Sequence, residues 1–170
     1  DLLSYSRPDV IYHLAARVAI RAENIQDKED VYLVNAGGTL NVLQGLNRLR
    51  RNAHLIFSST TRVYDTKYLR SKQRIDEDFE ILSRFDYEAS KVIAERLIAA
   101  SNNRHVKSTI LRMVNVTPVF QYNAADIYPC DVVAKFAVNI LKGQKIALHQ
   151  NVSQAMINFI HVNDAVDLLS

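Results

Sequence analysis

In the stretch Asp86-Tyr87-Glu88-Ala89-Ser90-Lys91 a phenol precedes an ammonium by four residues. The run Tyr87 to Ala100 reads as a helix, where that spacing puts both side chains on one face and brings the ammonium within reach of the phenol. Such a pair can make a base. An unperturbed tyrosine ionises near pH ~10, so action near neutrality needs its phenolate stabilised by about 3 pK units, or roughly 4 kcal/mol. One cation ~4 Å away at an effective dielectric of ~20 supplies about that much. An ordinary amphipathic helix can carry the same spacing, so the surrounding chain has to decide. Metal chemistry has no comparable constellation: His13, His54, His105, His149 and His161 show no ligand spacing with one another, with carboxylates or with Cys130.

The elements that would position this pair follow from periodicity. Val10 to Ala16, with Tyr12, His13, Leu14 and Ala15 inside it, is apolar without alternation, as expected of a strand covered on both faces. Ala22 to Arg51 has Val31, Val34, Gly38, Val42, Leu46 and Leu49 at helical steps. Gly37-Gly38 within it weakens a helix by roughly 1 kcal/mol per glycine, so close packing on the sheet is the expected compensation. His54 to Ser59 is a second buried strand, and residues 65 to 85 read as a polar surface excursion. Ser108 to Val116 is a third strand, broken by Pro118. Strand, helix, strand, helix, strand is an α/β pattern with right-handed crossovers between parallel strands. Ligands in such sheets sit at the carboxyl ends of the strands, where Ala15-Ala16, Ser58 to Thr60 and Asn115 all fall. Beyond Val119 the pattern changes: Tyr122 to Pro129 is loop-like, Cys130 to Lys142 is a helix closed by Gly143, and Ile146 to His149 is a short strand. Phe159 to Val162 then leads into Asn163-Asp164, an N-cap pair for a last helix.

Bulk composition excludes several classes. The 21 basic and 18 acidic residues leave a net charge of +3 without a dense Lys/Arg block, which argues against nucleic acid as partner. A single cysteine, Cys130, precludes an internal disulfide, and no apolar run reaches the ~18 residues of a membrane span. The expectation is a soluble cytoplasmic protein without a membrane partner. Because the chain opens and closes inside apparent helices, we read it as a segment of a longer protein.

Five groups of residues stand in an order and spacing that resembles one family. They are Tyr12 to Ala16, Val34-Asn35-Ala36-Gly37-Gly38-Thr39, Phe57-Ser58-Ser59-Thr60-Thr61-Arg62-Val63-Tyr64, Tyr87 to Lys91, and Leu111 to Val116; a sixth stretch, Ser153-Gln154 with Phe159 to Asp164, follows. Together they resemble the extended short-chain dehydrogenase/reductase family, the NAD-dependent sugar-nucleotide epimerases and dehydratases. The resemblance implies an α/β fold: the second half of a doubly wound, Rossmann-like parallel sheet over residues 1–118, then the start of a smaller substrate-binding domain over 119–170. It implies an epimerase or related carbonyl reductase that uses NAD or NADP on a nucleotide sugar or similar small molecule, and it allows a homodimer through the two long helices.

Site roles follow from the same resemblance. Tyr87 would exchange the substrate hydroxyl proton and also contact the cofactor, Lys91 would hold the phenolate and the nicotinamide ribose, and Thr60 would hydrogen-bond the substrate oxygen. Ser58 shares the strand face of Thr60 and would contact the cofactor, whereas Ser59 and Thr61 face the other way. Leu14, Ala15 and Ala16 would let the cofactor approach, Asn35 would brace the site, and Asn115 would lie near the nicotinamide. Arg112 stays open between a strand-end partner of an acid and a site contact, and His13 is read as a satisfied buried histidine. No metal is implied.

Departures from the family pattern narrow the reading. The first strand and its glycine-rich phosphate turn are absent and are expected before Asp1, so the segment alone should bind NAD poorly. Asp65 stands where a glycine usually follows Val-Tyr, Thr117-Pro118 replaces Tyr-Gly, and Met156-Ile157-Asn158 stands where Arg-Asp is common. Thr61-Arg62 occupies the places of the Asp-Glu pair that a 4,6-dehydratase needs, which leaves epimerisation or carbonyl reduction. The alternatives are a non-catalytic dinucleotide-binding relative and an inactive fragment.

Overall fold

Two parallel sheets organise the chain in the computed structural model, which describes residues 2–18, 24–49, 52–64, 74–101, 105–117, 132–146 and 158–169. Asp1–Met113 and Val114–Ser170 form two compact units.

In the first unit a short helix α1 (Leu2–Ser6) closes at Arg7, in the left-handed region at φ 46°, and Pro8 prevents its continuation. Strand β1 (Val10–His13) follows. Helix α2 (Ile25–Tyr32) is capped by Asn24, whose Oδ1 accepts from the Asp27 N–H at 2.9 Å. It runs through a widened π turn (Leu33–Gly37), in which the Gly38 N–H reaches back to Leu33 O, into α3 (Gly38–Leu49). The helix expected over 22–51 is therefore one rod with a bulge at Asn35. Strand β2 (Ala53–Thr60) ends in a single 3₁₀ turn (Thr61–Val63), α4 spans Asp86–Ser101, and β3 spans Val106–Met113. The sheet order is β1-β2-β3, all parallel, with Val10 opposite His54 and Ala53 opposite Val106.

The core lies between β2 and the helices α3 and α4. Ala53, Leu55 and Phe57 alternate along β2 and meet Leu43 and Leu46 of α3, Ala94 and Ile98 of α4, and Val106 of β3. Along β2 the alternate residues His54, Ile56 and Ser58 are only partly buried, and Val10 and Tyr12 of β1 are exposed. Among the described residues, then, the helices cover one face of the sheet, where the sequence implied two. The glycines also differ from expectation. A side chain at Gly38 would meet nothing within 4 Å and at Gly37 only Tyr32 O at 4.0 Å, so close packing does not require them. At Gly45 a Cβ would come within 2.6 Å of Leu3 Cδ1, and there the missing side chain lets α1 rest on α3.

The strand expected over 108–116 is two strands. β3 ends at Met113, opposite the last residue of β2, Thr60, where its partner turns away. Asn115 opens β4 (Asn115–Thr117) in the second unit, which pairs in parallel with β5 (Phe159–His161). Between them lies α5 (Val132–Leu141), closed as expected by Gly143 at φ 64°, whose N–H donates to Ile140 O. The last helix, α6 (Val162–Leu169), starts before the anticipated Asn163-Asp164 cap: His161 Nδ1 accepts from the Asn163 N–H at 3.3 Å, so the histidine takes the capping role. The loop expected over 122–129 and most of the strand over 146–149 lie outside the described residues.

Ile98→Ala in this core should lower the unfolding free energy by about 2–5 kcal/mol. Leu168→Ala, at a position 71% exposed, should change it by less than about 0.5 kcal/mol. Urea unfolding of both variants checks this, and equal losses would contradict the assigned core.

Candidate functional site

The carboxyl end of β2 and the first turns of α4 are joined by one buried cation. Lys91 Nζ donates to Ser58 O at 2.7 Å and lies 4.5 Å from the centre of the Phe57 ring. The residue is 2% exposed, and burial lowers its ammonium to about 8 although Glu95 opposes the shift. The ammonium is thus committed to a backbone carbonyl of the strand. Burial pushes the Tyr87 phenol up from its ordinary value, with Arg62 opposing the rise and Glu88 adding to it.

Thr60 is buried at the end of β2, where its Oγ1 accepts the Arg62 N–H at 3.2 Å and caps the 3₁₀ turn. Thr60 and Tyr87 make no direct hydrogen bond. Ser59 points toward α4 and donates to Glu95 Oε1, and Thr61 Oγ1 donates weakly to Met113 O at 3.4 Å. Glu95 is also gripped by Arg112, whose NH2 donates to Oε2 at 2.9 Å, while Arg112 NH1 reaches the Tyr64 hydroxyl at 2.9 Å and Glu77 O at 3.0 Å. Of its two readings, Arg112 is the strand residue paired with an acid.

Asn35, in the π turn, is 2% exposed and fully engaged. Its Oδ1 accepts from the Arg17 N–H at 2.8 Å, and its Nδ2 donates to Arg17 O at 3.0 Å and to Ser90 Oγ at 2.9 Å. Ser90 in turn donates to Tyr87 O at 2.7 Å. One amide therefore ties the loop after β1 to the first turn of α4. Leu14, Ala15 and Ala16 are exposed on that loop. His13 is buried, shares a hydrogen bond with Thr39 Oγ1 at 2.9 Å and is held below its ordinary value by burial and by Lys91, in keeping with a satisfied core histidine. Asn115 belongs to the second unit, where its Nδ2 donates to Asn158 O at 3.3 Å. Asp65 and Met156-Ile157 lie outside the described residues.

Sequence reasoning missed Glu88, Ser90 and Glu95. Their signal was available: Glu88, Lys91 and Glu95 stand at i, i+3 and i+7 of one helix and share a face.

A family model described as "NAD dependent epimerase/dehydratase family" matches residues 1–170. The chain belongs to this family. UDP-glucose 4-epimerase of Mycoplasma pneumoniae is 30% identical over 120 residues, 68% of this chain and 34% of that protein. CDP-paratose 2-epimerase of Salmonella typhi is 36% identical over 63 residues, 37% of this chain and 18% of that protein. The match thus spans about a third or less of these curated relatives. Among solved structures, Pal from Bacillus thuringiensis superposes with a TM-score of 0.79 at 24% identity, over 99% of this chain and 51% of that one. UDP-glucuronic acid 4-epimerase from Bacillus cereus, solved with UDP-glucuronic acid and NAD, gives 0.75 at 22% identity, over 96% and 49%. These likenesses establish the fold, α/β with parallel sheets. No described helix is long and apolar enough to cross a membrane, and no metal-binding cluster occurs among the described residues.

The buried Lys91 gives the folded chain a pH signature. Its folded value of about 8 lies below the unfolded 10.5, so the folded state binds fewer protons between them and the penalty on the buried ammonium disappears as pH rises through that window. Relative to Lys91→Met, the unmodified protein should gain roughly 2 kcal/mol of unfolding free energy between about pH 8 and about pH 10. Urea midpoints of both proteins across that range check it; parallel curves would show an ammonium that folding does not perturb.

Proposed function

We propose that the complete protein is an NAD(P)-dependent sugar-nucleotide epimerase, or a related carbonyl reductase, working through Thr60, Tyr87 and Lys91. The observation that carries this reading is the Lys91 to Ser58 O bond, which seats the helix bearing Tyr87 on the strand end bearing Thr60. The supporting geometry fits a dinucleotide at this end of the sheet. Lys91 keeps two ammonium hydrogens beyond the one given to Ser58, enough for a ribose diol, and the small residues Ala15 and Ala16 stand open after β1. Leu14 and Ser58 complete the proposed cofactor contacts of the first unit, with Asn35 bracing the loop after β1. When bound, the nicotinamide supplies a reversible hydride acceptor.

The chain's own residues would manage the proton. The Tyr87 phenol takes it from the substrate hydroxyl and returns it, and the Thr60 hydroxyl donates to the same oxygen, since its accepting role toward Arg62 leaves its own hydrogen free. Lys91 keeps positive charge near the reacting oxygen, and the Asn35, Ser90 and Tyr87 O relay fixes the turn from which the phenol projects. Residues 1–118 would hold the cofactor and 119–170 would begin the part that faces the nucleotide sugar. Leu33, Leu40 and Ile93 leave apolar surface on the rod and on α4 that suits a homodimer.

In the complete protein Tyr87→Phe should lower kcat about 10²-fold or more, while NAD(P) affinity stays within about threefold because Lys91, Ser58 and the loop after β1 retain the other proposed cofactor contacts. Steady-state turnover of UDP-glucose and UDP-glucuronic acid, with fluorescence titration of the cofactor, measures both. Unchanged turnover in the variant would end the assignment.

A further inference from the structure

The 3₁₀ turn after β2 carries an arginine held in an unusual way. Arg62 donates through Nε to Glu88 Oε1 at 2.7 Å, and its backbone N–H is fixed on Thr60 Oγ1. The Glu88 side chain is 3% exposed and that of Arg62 44%. A guanidinium and a carboxylate usually engage through two parallel bonds. Here only Nε is used, and the second carboxylate oxygen, Oε2, is buried with no hydrogen-bond partner among the described residues. Among those residues the two terminal nitrogens of Arg62 have no acceptor either. The fork is therefore anchored by its inner edge with its outer edge turned away from its counter-ion. A buried carboxylate with an orphan oxygen costs stability, and what it secures is the direction of the guanidinium.

The arginine bridges the two elements of the proposed site: its N–H rests on Thr60 Oγ1 at the end of β2, and its Nε rests on Glu88, the residue after Tyr87 on α4. We propose that the outer edge of Arg62 receives an anionic group on the sugar, so that the substrate is a nucleotide sugar bearing a carboxylate. This inference rests on the sugar-nucleotide reading above. The terminal nitrogens present two parallel donors with the geometry a carboxylate accepts, and Glu88 pays the cost of ordering the side chain before substrate arrives. A neutral hexose would leave those donors to water. A sugar carboxylate and the nucleotide diphosphate share the chemistry Arg62 would recognise, and they differ in that the diphosphate is common to acidic and neutral sugar nucleotides alike.

The test is calorimetric binding of UDP-glucuronic acid and UDP-glucose to the complete, NAD-loaded protein in a Tyr87→Phe background that suppresses turnover. The acidic sugar nucleotide should bind about 10- to 100-fold more tightly. The added double substitution Arg62→Met with Glu88→Gln, which removes both charges and so avoids stranding a buried carboxylate, should bring the ratio close to one. A ratio near one before the substitution, a ratio unchanged by it, or an equal loss of both affinities, as expected were the diphosphate the group held, would overturn the proposal. Turnover by the protein with Tyr87 intact separates the two readings. Preference for the acid without turnover of either nucleotide would leave the anion site standing and remove the enzyme; turnover with no such preference would do the reverse. Failure to bind either nucleotide would remove both.

Discussion

An ammonium buried on a backbone carbonyl is the constraint around which the first unit is arranged. A charged lysine in a protein interior is costly unless its hydrogens find acceptors. β1 stops opposite Phe57, which leaves the carbonyls beyond it on that edge of β2 without a strand partner, and Ser58 O takes the Lys91 ammonium. The end of the shorter strand thus determines where a longer neighbour can accept a side chain. The Phe57 ring closes the other side of the same cation. The bond registers α4 against β2, and it is the reason a helix and a strand distant in sequence present their polar groups at one end of the sheet.

Much of this was legible in the sequence, and the failures have identifiable physical causes. Parallel pairing and the positions of β1 and β2 followed from unbroken apolar runs separated by helical periods, although the same runs implied a second covered face that the described residues do not supply. The Tyr87 and Lys91 spacing correctly placed both residues on one helix, but spacing says nothing about which backbone acceptor an ammonium will find, here Ser58 O. Gly37-Gly38 drew attention as an anomaly in a helix, whereas the glycine under steric demand is Gly45, whose need arises from Leu3 some forty residues earlier and leaves no local trace. Ser108 to Val116 looked like one strand because nothing in its composition marks the point at which β2 ends and β3 loses its partner.

Asn35 shows how a polar residue in an apolar helical pattern can tie distant segments together. A regular α-helix spends its backbone groups internally; the π turn loosens that pattern for one turn and turns the asparagine inward. Its amide has one acceptor and two donor hydrogens, and all are used within unit one, on Arg17 and Ser90. Arg17 also reaches Asp27 and Asp30 through its side chain, so the loop after β1 is fixed to α2 from two directions. The loop carries the small, exposed side chains of Ala15 and Ala16 and is held in place by the asparagine behind it.

The buried stripe of α4 sharpens the point. Glu88, Lys91, Glu95 and Ile98 recur along the face turned to β2, and three of the four carry charge. Apolar residues of similar volume would pack there at no electrostatic cost, and replacing buried ion pairs in that way is often neutral or stabilising. Stability alone therefore does not account for the stripe. Each charge instead has a partner on the strand or just beyond it: Arg62 for Glu88, Ser58 O for Lys91, Ser59 and Arg112 for Glu95. An apolar stripe could slide by a turn and lose little, since dispersion contacts are individually weak and non-directional. Three directional pairings at successive depths along the helix are satisfied in one register only. The polar stripe thereby fixes the register of α4 against β2, and with it the turn of the helix that carries Tyr87.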